Sequence, residues 1–214
     1  MGSPAVRADH ADAGLTDPSL MARLRVATRE PHEALHVAPG LATLQAETPD
    51  PARYRFILER FDAFLETVES QVLIAADPWF ESQGFRRQSR RPNLAQDLAD
   101  LDTAGIQAPP TPAAPSVPAL PTGEGAALGL LYITEGSRLG GRTMARQLAE
   151  ALPAEIAGAT RFLGSPGLDL SAHWRRVGAF IDAQGRDDEA RAAAALDAAT
   201  QGFAVLAHWF DEAP

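Results

Sequence analysis

The stretch Leu128-Gly129-Leu130-Leu131-Tyr132-Ile133-Thr134-Glu135-Gly136-Ser137-Arg138-Leu139-Gly140-Gly141 decides how this chain is read. It lies inside a long predicted helix, Gly123–Leu152, that also contains Gly125. A glycine in a helix interior costs about 1 kcal/mol relative to alanine, so five of them need a reason. Gly129, Gly136 and Gly140 are seven and four apart and so share one face. Tight helix packing accounts for two glycines easily. It accounts less well for Gly140-Gly141, because adjacent residues point in different directions. A kinked helix whose backbone lies over a flat ligand accounts for both.

Working outward, the rest of the chain also reads as helix. Thr16-Asp17-Pro18-Ser19 is an N-cap neighbourhood for a helix over Leu20–Val37, which Pro39-Gly40 ends. In Pro51–Ala75 the residues Tyr54, Ile57, Leu58, Phe61, Phe64, Leu65, Val68 and Val72 recur at steps of three and four. Asp50 caps that helix and Asp77-Pro78 stops it. Pro92–Leu101, Ala172–Ala183 (introduced by Asp169 or Ser171) and Asp187–Phe210 complete the set. Residues 104–122 hold six prolines and read as a stiff connector. No alternating strand pattern and no internal repeat stands out. The expectation is an all-α single domain over 18–214 with six to eight helices, preceded by a flexible tail over 1–17.

Composition narrows the function. The chain has 214 residues, 45% of them hydrophobic, and no apolar run approaches the roughly 18–20 residues of a membrane helix. The first residues, with Arg7, Asp9, His10 and Asp12, lack a secretory h-region. The expected location is the cytoplasm. With no cysteine, disulfides, iron–sulfur clusters and thiolate zinc sites are excluded. A net charge of −9 argues against nucleic acid as a partner. All 19 basic residues are arginine, so Schiff-base chemistry and a P-loop lysine are absent, and any bound anion meets guanidinium forks.

The first helix holds two overlapping constellations. His32-Glu33-Ala34-Leu35-His36 matches the H-E-x-x-H pattern of zinc peptidases, in which two imidazoles one turn apart hold the metal. A third ligand is needed, with Glu59 or Glu66 as candidates, and Pro31 tends to kink the segment. Read toward the N-terminus, Arg25, Arg29 and His32 share a stripe, and Arg25 lies roughly 10 Å from His32 along the axis at about 1.5 Å per residue. That is the reach from a porphyrin's iron to its propionates: a neutral imidazole to ligate iron, arginines to hold the anionic edge. A solvated arginine face is the plain alternative.

Together these segments resemble the heme oxygenases. Leu24-Arg25-Val26-Ala27-Thr28-Arg29-Glu30-Pro31-His32 is similar to the helix that carries the family's proximal iron ligand. The glycine-rich stretch is similar to its distal helix in bacterial form. The Phe203…Phe210 helix resembles the closing helix, and Trp174-Arg175-Arg176 stands where a propionate-binding helix is expected. The resemblance spans roughly residues 20–212, and the nearest likeness is to bacterial enzymes that supply biliverdin to bacteriophytochromes or release iron from heme.

The resemblance implies a fold with heme b, both substrate and cofactor, sandwiched between a proximal and a kinked distal helix. It implies His32 as iron ligand; Arg25, Arg29, Tyr132, Arg175 and Phe203 as heme-binding residues; and Gly136, Ser137, Gly140 and Gly141 as the distal catalytic segment. The implied reaction opens heme with O2 and electrons to biliverdin, CO and ferrous iron, the oxygen being steered to one meso carbon. An electron donor of ferredoxin or flavin-reductase type and a bacteriophytochrome receiving biliverdin are the implied partners. Animal members carry an aspartate where this chain has Ser137, and a hydroxyl organises water more weakly than a carboxylate. A heme-transfer protein without turnover uses the same His32 and arginines and stays open beside the zinc peptidase. Glu135 and Arg138 are expected to be structural, and His173 and His208 to be satisfied residues at the edge of the core.

Overall fold

The computed structural model describes residues 18–110 and 119–211, so the centre of the proline-rich connector and residues 1–17 lie outside the described residues. Every regular element is helical: α1 (Leu20–Ala27), α2 (Arg29–His36), a 3-10 segment (Pro39–Gln45), α3 (Pro51–Val68), a π turn (Glu69–Leu73), α4 (Ile74–Ser82), α5 (Arg91–Thr103), α6 (Glu124–Ala151), α7 (Arg161–Gly164), α8 (Leu170–Gly185) and α9 (Glu189–Asp211). No helix among the described residues is long and apolar enough to cross a membrane.

Caps fall where polar side chains meet orphan N–H groups. Asp50 Oδ1 accepts from the Ala52 N–H at 2.9 Å, and Asp169 Oδ1 accepts from the Ala172 N–H at 3.0 Å. Two boundaries differ from the sequence expectation. The helix over residues 20–37 is two helices, broken at Thr28, whose hydroxyl donates to the Leu24 carbonyl at 2.7 Å. Pro31 removes the N–H that would have bridged the break to Ala27. Pro78 does not stop its helix: α4 runs through it to Ser82. The missing hydrogen bond is offset by burial of Phe80, whose ring meets Phe85 and Phe180.

The centre of the molecule is the crossing of α6 with α9, the most extensive helix pair. Gly125 and Gly129 make it possible. A Cβ on Gly125 would stand 2.6 Å from the Arg191 carbonyl oxygen, and one on Gly129 would collide with the Ala195 carbonyl. The α9 face opposite is an alanine stripe, Ala192, Ala195, Ala198 and Ala199, all fully buried. These two glycines therefore serve helix packing, whereas the sequence grouped Gly129 with Gly136 and Gly140. Gly141 also packs against protein: its Cβ would lie 2.7 Å from the Leu163 carbonyl oxygen of α7.

The opposite flank of α6 carries buried charge. Glu135 Oε2 lies 2.6 Å from both Arg138 Nε and His173 Nε2, and Arg138 also donates to Ser165 Oγ at 3.2 Å and to the Gln88 carbonyl at 3.1 Å. Glu135, Arg138 and His173 are each about 95% buried or more, which matches the structural role expected of them. Burial alone would raise the Glu135 carboxyl, but the hydrogen bond to His173 and the pairing with Arg138 outweigh it and hold it below its usual range.

Two stability tests follow from this architecture. Gly129→Ala should destabilise the fold by about 1–3 kcal/mol, since α6 and α9 must separate to admit a methyl group. Gly140→Ala, whose Cβ meets only Met144 Cε at 3.6 Å among the described residues, should be neutral or mildly stabilising through helix propensity; urea unfolding distinguishes the two. Glu135→Gln leaves the Arg138 cation buried without its carboxylate and should cost ~3 kcal/mol at neutral pH. Because the folded carboxyl is held down, its contribution is complete above its ordinary value of 4.5 and is lost as pH falls through the lower folded value. The deficit of the Gln variant should therefore shrink on acidification below that point, as read from unfolding curves across pH.

Candidate active site

A cavity of about 420 Å³ opens between α2 and the second half of α6, within the range of roughly 300–1,000 Å³ typical of cofactor and small-molecule sites. From one side it is lined by Arg25, His32, Leu35 and His36, from another by Tyr132, Ile133, Gly136, Ser137, Leu139, Gly140 and Met144 of α6. Phe61, Phe64 and Leu65 of α3, Phe162 and Leu163 of α7, and Phe203 and Leu206 of α9 complete the apolar walls, with Leu41, Leu44, Gln45, Thr134 and Trp174 around them.

His32 comes to this wall on α2, with its ring edge-on to Phe203 (centroids 5.6 Å apart) and to His36 (4.5 Å). Partial burial, and after it the neighbouring His36, push its imidazole below the ordinary value of 6.5, against a smaller opposing effect from Glu33. The ring is therefore neutral at neutral pH with a lone pair available for a metal. Among the described residues no three His, Asp or Glu side chains converge on a common point, so the H-E-x-x-H motif lacks the third protein ligand a zinc peptidase requires. A single imidazole suits a metal that arrives with its own equatorial ligands.

On α6, Gly136 and Gly140 expose bare backbone to the cavity. A Cβ on Gly136 would lie 3.3 Å from the Trp174 ring, which itself leans on Tyr132 with centroids 5.8 Å apart. The Ser137 hydroxyl donates to the Thr134 carbonyl at 3.0 Å and accepts a hydrogen bond from Arg90. The α6 helix continues without interruption through this segment.

The cavity thus brings together His32, Arg25, Tyr132, Phe203, Gly136, Ser137 and Gly140 among the residues picked from sequence. It does not gather the rest. Arg29 and Arg175 are exposed and outside the wall, because the break at Thr28 puts Arg25 and Arg29 on separate helices and the buried side of α8 is built on His173 and Val177. Gly141 faces α7. The sequence missed Arg90, a buried arginine of the cavity wall. Nothing in Arg86-Arg87-Gln88-Ser89-Arg90-Arg91 marks it out from its neighbours. It also missed α7, which is too short for periodicity to reveal; Asp97 holds it by accepting from the Arg161 and Phe162 N–H groups at 3.1 and 2.8 Å.

These residues fit heme. The walls are apolar, one neutral imidazole is free to ligate, two glycines leave room against the helix backbone, and Arg25 stands at the cavity with a guanidinium suited to a carboxylate.

Comparison with known proteins agrees with that fit. Residues 18–212 match the family model described as heme oxygenase. A protein of Xanthomonas campestris pv. campestris (strain 8004) named "Heme oxygenase" is 31% identical over 163 residues, covering 75% of this chain and 88% of its own length. No solved structure matches the chain significantly. With the family match running from the start of α1 to the end of α9, and the cavity of the right chemistry between them, the chain belongs to the heme oxygenase family.

Proposed function

We propose that the chain binds heme b in the cavity between α2 and α6 and opens it oxidatively to biliverdin, CO and ferrous iron. The observation that carries the reading is that His32 and the bare backbone of Gly136 and Gly140 line one apolar cavity. Bound heme supplies the iron that reacts with O2 and the porphyrin that is opened.

The protein's own residues do the rest. His32, neutral and edge-on to Phe203, ligates the iron from the α2 side. Gly136 and Gly140, with bare backbone at the cavity, would give a flat macrocycle room against α6 and place no side chain over it. Tyr132 and Phe203 would face the macrocycle, and their rings with those of Phe61, Phe64 and Phe162 would give it apolar walls. Arg25, at the cavity wall, would pair with a propionate and so fix the rotation of a nearly symmetric ring. Arg29, Arg175 and Gly141 stand farther back: the two arginines are propionate partners of second rank, and Gly141 serves the distal segment by seating α6 on α7. An electron donor of ferredoxin or flavin-reductase type supplies the reducing equivalents, and a bacteriophytochrome is the proposed acceptor of biliverdin.

Hemin titration should give a one-to-one complex with a Soret band. His32→Ala should abolish turnover and added imidazole should restore part of it, whereas His36→Ala should keep most activity; equal loss in both would count against the assignment. A guanidinium–carboxylate contact at an exposed position is worth at most ~1 kcal/mol. Arg25→Ala should therefore weaken hemin binding only a few-fold while broadening the biliverdin isomer distribution, with smaller effects in Arg29→Ala and Arg175→Ala; product chromatography reads this out.

A further inference from the structure

Arg90 is the most unusual charged group in the molecule. It is 4% exposed, forms no ion pair with a carboxylate among the described residues, and lines the cavity. Its guanidinium lies over the Phe162 ring at 4.1 Å and donates from Nη2 to the Phe162 carbonyl at 3.0 Å. From Nη1 it donates both to the Thr134 carbonyl, at 3.0 Å, and to Ser137 Oγ. Its Nε is buried without an acceptor among the described residues. Burial, and next the Arg138 cation, lower it to about 9, so it is still charged at neutral pH.

A buried cation without a carboxylate is costly, and this one is held in place by dedicated contacts. Its loop is fastened on both sides. Arg87 pairs with Glu69 at 3.0 Å and with Asp77 at 2.9 Å, Ser89 Oγ donates to Glu69 Oε2 at 3.0 Å, and Phe85 stacks on Phe180. The π turn carries Glu69 inward to receive them. The arrangement delivers one guanidinium to one hydroxyl of the distal segment.

The hydrogen bonds at that hydroxyl have a consequence. The Thr134 carbonyl receives hydrogen bonds from both Arg90 and Ser137, so Ser137 can turn its hydrogen away without leaving that oxygen unsatisfied. A hydroxyl that accepts from a cation is also a stronger donor, because chained hydrogen bonds polarise one another. Ser137 is exposed at the cavity wall.

We propose that Arg90 is a positioning residue for heme opening: by donating to Ser137 Oγ and covering the Thr134 carbonyl, it turns the Ser137 hydroxyl into the hydrogen-bond donor directed at the distal ligand of the heme. The proposal rests on the heme site described above. Arg90 itself stays bonded to backbone carbonyls and acts only through Ser137.

Fluoride binding to the ferric hemin complex tests it, since fluoride on iron is a strong hydrogen-bond acceptor, and imidazole serves as a ligand that needs no such donor. In absorption titrations, Ser137→Ala and Arg90→Met should each weaken fluoride about tenfold or more, the scale of one charge-assisted hydrogen bond. Imidazole affinity should stay within twofold in both. The double variant should lose no more than either single one, because the two residues act in series, and Arg90→Lys should recover part of the loss. Unchanged fluoride affinity in Arg90→Met with normal hemin uptake overturns the proposal, as do additive losses in the double variant. Should Arg90→Met fail to fold or to take up hemin, Ser137→Ala decides, and unchanged fluoride affinity there overturns it. Absence of a Soret band in the wild-type titration, before any fluoride is added, refutes the heme site itself and is seen separately.

Discussion

The close crossing of α6 and α9 is the constraint on which the cavity depends. Gly125 and Gly129 let the α6 backbone settle against the carbonyls of Arg191 and Ala195, and the buried alanines of α9 offer no side chain to hold the helices apart. The consequence appears two turns farther along. Phe203 and Leu206 of α9 and Tyr132, Ile133 and Gly136 of α6 line the same cavity, while Gly202 of α9 still packs closely on Leu130 and Ile133. Small residues let the two helices meet, and the large side chains that follow on both of them form part of the cavity wall, so the close packing of the pair fixes where those walls stand.

The remaining walls are fixed by polar contacts whose energetic role differs from that of the core. The Tyr54 hydroxyl donates to the Ala159 carbonyl at 2.6 Å, and the Asp97 carboxylate accepts two backbone N–H groups of α7. Both contacts fasten the short segment that brings Phe162 and Leu163 to the cavity. Neither helix propensity nor burial of a four-residue helix could hold it there. Polar anchors thus do for the short elements what the alanine stripe does for the long ones.

This division explains what the sequence revealed and what it hid. Periodic apolar positions in α3, α6 and α9 report burial directly, so the all-helical class and the long elements were legible. The His32 and glycine patterns carried the family resemblance. The glycines were legible as a group but not in their separate duties, since a spacing of seven and four shows a shared face without showing what lies against it. Gly129 meets α9 and Gly141 meets α7, while Gly136 and Gly140 meet the cavity. The passage of α4 through Pro78 was illegible because tertiary partners decide it, Phe85 and Phe180 packing on Phe80; the break at Thr28 is local instead, set by the Thr28 hydroxyl on the Leu24 carbonyl and by Pro31, whose tendency to kink the segment the sequence already showed. Arg90 is the extreme case, one arginine among 19, whose surroundings arise only when three distant segments meet.

The second half of α6 shows how a helix can be locally permissive and still well defined. Gly136, Gly140 and Gly141 each weaken it by about 1 kcal/mol relative to alanine, and an isolated helix of this composition would fray. Here the same turns carry Glu135 and Arg138 on the opposite flank, tied to His173, Ser165 and the Gln88 carbonyl. A buried network of this kind is costly to break by removing one member, so it resists displacement of the helix more strongly than it adds net stability. That resistance is what a glycine-lined surface needs. The backbone can lie close to a flat ring because side chains are missing on one face, and it keeps its position because charged groups are locked on the other.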